Sequence, residues 1–157
     1  MVVRALAFLA LLYLLFVVFR FAMGLRYAKR TRERAKDAEE ARGRRVITEV
    51  PLSEDDVVFL TEDEHSFAWG PNEVRKDAIA GARQLLNGGI LQECAREPGV
   101  LPPPAPPEEF EGRERWEIVL YLRGGGSLRI PCGTLREGVS REIAGRAYRA
   151  VREAMGM

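Results

Sequence analysis

From Ala5 to Leu25 the chain carries 21 residues that are apolar except for Arg20, and a densely basic segment follows at once. No other stretch limits the fold so strongly. A helix needs about 20 predominantly apolar residues to cross the hydrocarbon of a bilayer, because each backbone polar group must be bonded inside the helix. The expectation is therefore a single membrane-spanning helix over 1–25. Its uncharged core, Ala5 to Phe19, has only 15 residues, so Arg20 must be tolerated. Arg20 lies about 7.5 Å from Leu25 along a helix, within reach of a guanidinium that snorkels to the interface. A cleaved signal peptide has a similar outline, but Phe21 to Leu25 offer no convincing small-x-small cleavage site, and a basic segment follows.

Between Arg26 and Arg45 there are nine Lys or Arg against four acids. Positive residues stay inside, which predicts an inner or plasma membrane protein with its N-terminus outside and its bulk cytoplasmic, or on the matrix side in an organelle. Residues 26–45 contain no Gly or Pro before Gly43 and many helix formers, so they read as a basic helical stalk. Arg26, Lys29, Arg30, Arg32 and Arg34 are its expected contacts with lipid head groups. Tyr13, Phe16, Arg20, Gly24 and Tyr27 follow at steps of three and four, which places them on one face, a candidate surface for a partner helix.

Residues 46–157 suffice for one small domain. After Arg45 there are 13 basic and 19 acidic residues, a net charge of −6 that argues against nucleic-acid binding. Val46 to Val50, Val57 to Leu60 and Phe67 to Trp69 read as strands, the last two joined by an acidic loop holding Glu62, Asp63, Glu64 and His65. That loop lacks the spacing and glycine of a calcium site and the second histidine a zinc site would want, so no metal is expected there. Asn72 would cap a helix to about Leu86, with Val74, Ala78, Ala82 and Leu85 as its apolar face. Ile90 to Cys94 is a further strand. The Pro-rich loop at 98–112 admits neither helix nor central strand.

Arg115 to Arg123 and Ser127 to Cys132 flank three glycines and form the clearest β-hairpin in the chain. Thr134 and Glu137 make a capping-box pair for a final helix reaching about Met155, its face made by Val139, Ile143, Ala147, Ala150 and Ala154 with Tyr148 and Val151 alongside. The expected fold class is α+β: the spanning helix and stalk, then a small mixed or antiparallel sheet packed on two helices. No motif ties the chain to a family. The hairpin followed by a C-terminal helix is only loosely similar to bacterial PH-like modules, whose order a helix at 72–86 would break.

Cys94 and Cys132 are 38 residues apart with no CxxC, and read as small buried strand residues in a reducing compartment. With one histidine and no nucleophile motif, no catalytic residue and no cofactor are expected. The functional expectation is a non-catalytic accessory subunit or scaffold of a membrane complex, with lipid and other membrane subunits as partners. A tethered sensor of a small-molecule ligand or lipid head group is the alternative.

Overall fold

The structure is a computed structural model that describes residues 2–51, 57–104, 114–133 and 137–157, with the side chains of 2–12, 22, 24, 25, 27–29, 31, 32 and 137 outside the description. Two units result, Met1–Ala41 and Arg42–Met157.

The first unit is one helix, α1 (Val2–Ala41), of 40 residues. It ends where Gly43 takes a left-handed backbone, φ 77°, a conformation that glycine adopts without steric cost. Its solvated half is typified by an i,i+4 ion pair, Lys36 Nζ to Glu40 at 3.5 Å. The expected membrane span is corrected here. Among the described residues, no helix is long and apolar enough to cross a membrane. The 40 residues meet the length requirement, but apolar continuity fails. From Tyr13, where described side chains begin, the apolar run ends at Phe19, and Arg20, Arg26, Arg30 and Arg34 follow.

The second unit holds two antiparallel sheets. In the first, β1 (Arg45–Pro51), β2 (Val57–Glu62), β3 (Ser66–Trp69) and β4 (Asn72–Arg75) pair in chain order as a meander. The expected pairing of Phe67 to Trp69 with the strand before it is found, Leu60 facing Trp69. The second contains β5 (Ile79–Leu86), β6 (Gly89–Ala95), β7 (Trp116–Leu122) and β8 (Ser127–Gly133) in the order β6-β5-β7-β8. The expected hairpin is its β7-β8 pair, with Ile118 opposite Ile130.

Residues 72–86 are the second correction. They form β4, a one-turn 3₁₀ helix at Lys76–Ala78, and β5, in place of the expected helix. The cause is the environment of β5, which is central in its sheet and buried on both faces from Ile79 to Leu85. A strand covered on both sides needs small or apolar residues in succession and shows no alternation. The spacing of Val74, Ala78, Ala82 and Leu85 thus imitated a helical face.

The final helix, α2 (Glu137–Ala154), lies against β1, β5, β7 and β8. Its buried face is Ser140, Ala144, Ala147, Tyr148, Ala150 and Val151, with Ile143 and Ala154 packed at its margin; of the expected face only Val139, 48% exposed, is turned out. The small residues on that face let the helix sit close to the sheets. Thr134 of the expected capping box lies outside the described residues.

One core joins α2 to both sheets, with Val50, Leu60, Phe67, Trp69, Ile79, Ile118, Leu120 and Ile130 among its large members. The sheets meet where β1 lies against β8. Gly133 ends β8 there with φ 91°, and a Cβ on it would stand 2.8 Å from Pro51 Cγ. The far end is held by Arg96, whose guanidinium donates to the carbonyls of Ile79, Lys76, Ala154 and Met155 at 3.0 to 3.4 Å. It thereby satisfies the last, otherwise orphaned carbonyls of α2.

Candidate functional site

Three surfaces carry side chains that the fold does not consume. The first is on α1. Every residue from Tyr13 to Phe19 is exposed, with Tyr13 71%, Phe16 57% and Phe19 63% accessible, and Phe21 and Met23 extend the series. Successive helical residues are turned by roughly 100°, so this run encircles the helix. Of the expected partner face, Tyr13, Phe16 and Arg20 are exposed, whereas Gly24 and Tyr27 have side chains outside the described residues. The stripe is not set apart from its neighbours, because Leu14, Leu15, Val17 and Val18 are equally uncovered. Of the expected lipid contacts, Arg26, Arg30 and Arg34 are exposed, while the side chains of Lys29 and Arg32 lie outside the description.

The second surface is the rim of the first sheet beside the C-terminal end of α2. A cavity of about 370 Å³ is lined by Gly43, Arg45, Glu62, Asp63, Glu64 and Lys76 with Ala150, Glu153 and Ala154. Glu62, expected in the acidic loop, ends β2 and is 8% exposed. It points along the core face of β2, between Arg45, which donates through Nε and Nη2, and Lys76, whose Nζ is 2.9 Å away. Lys76 also donates to the Asp63 carbonyl at 2.6 Å and sits 5.0 Å from the centre of the Phe67 ring.

Asp63 builds the turn itself, accepting from the amides of His65 and Ser66 and from the Ser66 hydroxyl at 2.7 to 2.9 Å. The His65 amide, then the two Ser66 donors, hold its carboxyl below the usual carboxylate range. Glu62 and Asp63 are thus bound to cations and to backbone and hydroxyl donors. Among the described residues no three His, Cys, Asp or Glu side chains are grouped to hold a metal.

The third surface was not visible in sequence. Gln84, Leu86, Leu91, Gln92, Glu114 and Trp116 line a cavity of about 710 Å³ closed on one side by Gly138 and Arg141 of α2. Strand register sets the wall: Gln84 faces Gln92 and Ile118 on its two neighbours, and Leu86 faces Trp116. Trp116 is 6% exposed and donates its indole N–H to Glu114 Oε2 at 3.2 Å. Gln84 is 5% exposed and lines the cavity. A helix at 72–86 with Val74, Ala78, Ala82 and Leu85 as its apolar face gives Gln84 no role. The signal that would have found it is an amide between Arg83 and Leu85 in a segment, 79–86, whose length suits a central strand.

On the opposite face of that sheet, Arg83 is 6% exposed, bound to Glu93 Oε2 at 3.0 Å and to the Tyr121 hydroxyl at 3.4 Å. The cysteines are both free. Cys132 is buried in β8, and desolvation, then the nearby Glu117, pushes its thiol up to about 12. Cys94 is half buried in β6, its Sγ 4.0 Å from Met155 Sδ.

Compared with known proteins, the chain matches no family model, no curated protein and no solved structure.

Proposed function

We propose that this chain is a non-catalytic, membrane-associated protein that works through contacts, as an accessory subunit or scaffold of a membrane complex. The observation that supports this is the apolar collar of α1. Nine large apolar side chains between Tyr13 and Met23 are each between 44% and 71% exposed and together reach every side of the helix. Contiguous apolar surface of that kind marks a site of contact with protein or lipid. The exposed Arg26, Arg30 and Arg34 that follow suit an anionic leaflet, at about 1 kcal/mol each near the surface. On this reading the protein is held at the inner or plasma membrane with its Arg42–Met157 unit on the cytoplasmic face.

The test is affinity purification of the intact protein in mild detergent, with mass spectrometry of what accompanies it. Fixed partners are expected in constant ratio with the wild type and lost from a Phe16→Arg, Phe19→Arg variant. Recovery of the wild type alone and monodisperse would overturn the reading.

The second reading, a tethered sensor of a small ligand or lipid head group, draws on the cavity beside Trp116. Under it the same purification yields monodisperse protein whose Tm rises with ligand.

A further inference from the structure

Two independent features meet at β6. The first is an open strand edge. Among the described residues β6 has a single neighbour, β5. The Arg96 amide donates to the Ala80 carbonyl at 2.9 Å, which makes Ala80 and Arg96 a hydrogen-bonded pair of the antiparallel ladder. Such pairs alternate with non-bonded ones. Ala82 with Cys94 and Gln84 with Gln92 are therefore bonded pairs, while Glu93 and Ala95 turn their N–H and C=O groups away from β5. Of the other edge strands, β1 and β8 lie against each other and β4 has only four residues. β6 has seven, and it exposes Ile90 and Leu91 in place of the lysines or prolines that guard an edge.

The second feature is the cavity, which opens beside this edge. Gln92 and Leu91 line it from β6, Gln84, Leu86 and Trp116 from the sheet behind, and Gly138 and Arg141 from α2. A residue placed opposite Gln92 on an added strand would carry its side chain on the same sheet face as Gln92 and Gln84. That face is the cavity wall.

We infer that the groove between β6 and α2 takes an extended segment of a partner protein, which adds as a strand to the edge of β6 and inserts one side chain beside Trp116. This deepens the contact-making reading, since it names a second contact and the form of its partner. A row of outward N–H and C=O groups at two-residue spacing, about 6.8 Å, is matched by another peptide backbone. A compact small molecule would fill the cavity and leave that row unpaired. The inserted side chain must offer an apolar face to Trp116, Leu86 and Leu91 and a hydrogen-bonding group to the Gln84 amide. Tyrosine meets both needs.

The experiment uses the full chain in detergent and a synthetic peptide, Ac-Thr-Val-Tyr-Val-Thr-NH2. Amide hydrogen exchange by NMR should slow at Glu93 and Ala95 by tenfold or more at saturating peptide, and the Trp116 indole resonance should shift. Replacing the central tyrosine by aspartate should remove both effects. So should N-methylation of the peptide amides that face β6, a control independent of the protein's folding. The Gly138→Phe variant should keep its Tm, because a Cβ at 138 meets nothing within 4 Å, yet lose peptide binding by filling the cavity.

Unchanged exchange at Glu93 and Ala95 would overturn the inference. An indole shift without protection of those amides would do so too, by pointing to a small ligand. Either result leaves the α1 contact standing, since that is read from co-purification. Loss of co-purification in turn leaves peptide addition at β6 measurable.

Discussion

Replacing Gly133 by alanine tests how the two sheets and α2 are closed on one another. A Cβ at this position would lie 2.8 Å from Pro51 Cγ and 3.6 Å from both Pro51 Cδ and Ser140 Oγ, on a backbone with φ 91°. Gly125, in the β7-β8 turn, is the control, with φ 85° and nothing within 4 Å of its Cβ. Both substitutions incur left-handed strain of about 1–2 kcal/mol, partly offset by about 0.4–1 kcal/mol from a stiffer unfolded chain. Gly125→Ala should therefore cost about 1 kcal/mol.

Gly133→Ala adds overpacking against a proline ring, which costs about 1–3 kcal/mol, for a total of about 2–4 kcal/mol. At roughly 4 °C per kcal/mol for a domain of this size, Tm should fall by about 4 °C in the control and by about 8–16 °C in the test variant. Thermal unfolding followed by near-ultraviolet circular dichroism reads this through Trp69 and Trp116, both in the second unit. In a Pro51→Ala background, which lacks the ring atoms, the cost of Gly133→Ala should drop to that of the control, a coupling of about 1–3 kcal/mol. Equal costs at Gly133 and Gly125, or no coupling to Pro51, would refute the closure described.

Arg96→Ala should destabilise by about 2–3 kcal/mol, since four carbonyls lose a charged donor; urea unfolding measures it, and a change under 0.5 kcal/mol would mean that the end of α2 is held otherwise. Asp63→Ala should cost about 1–2 kcal/mol at pH 7. Because the folded-state pKa of Asp63 lies below its ordinary value, its contribution is present above about pH 4 and lost as pH falls through the folded value. The stability gap between wild type and Asp63→Ala should thus narrow from pH 7 to pH 2.5, and a constant gap would contradict the turn. Cys132, with its thiol near 12, should resist iodoacetamide at pH 8 until the protein unfolds; rapid native labelling at this position, read by mass spectrometry, would show the core to be open there.

Strands with alternating or β-branched residues between turn signals could be read directly from sequence. Val46 to Val50, Val57 to Leu60 and the β7-β8 hairpin alternate or carry β-branched residues between turn signals, and each is a strand in the structure. β5 could not be read this way. Buried on both faces, it needs small residues in succession, and period alone does not separate such a strand from a helix. That one misreading hid the cavity, because Gln84 reaches it only from a strand paired with β6 and β7. The apolar run of α1 was plain in sequence. Its meaning as a span was not, because the length of an apolar stretch and the tolerance of its charges are separate conditions, and Arg20 divides them.

The two ends of the Pro-rich segment are both fastened. Arg96 pins its entrance to the close of α2, and at its exit the Arg115 amide donates to Asn87 Oδ1 at 2.7 Å while the Arg115 carbonyl accepts from the Asn87 amide at 3.0 Å. Chain between two fixed points can grow at little cost, about 0.6 kcal/mol for each doubling of length. A fluorescent reporter or an affinity tag spliced between Arg96 and Arg115 should therefore cost little stability.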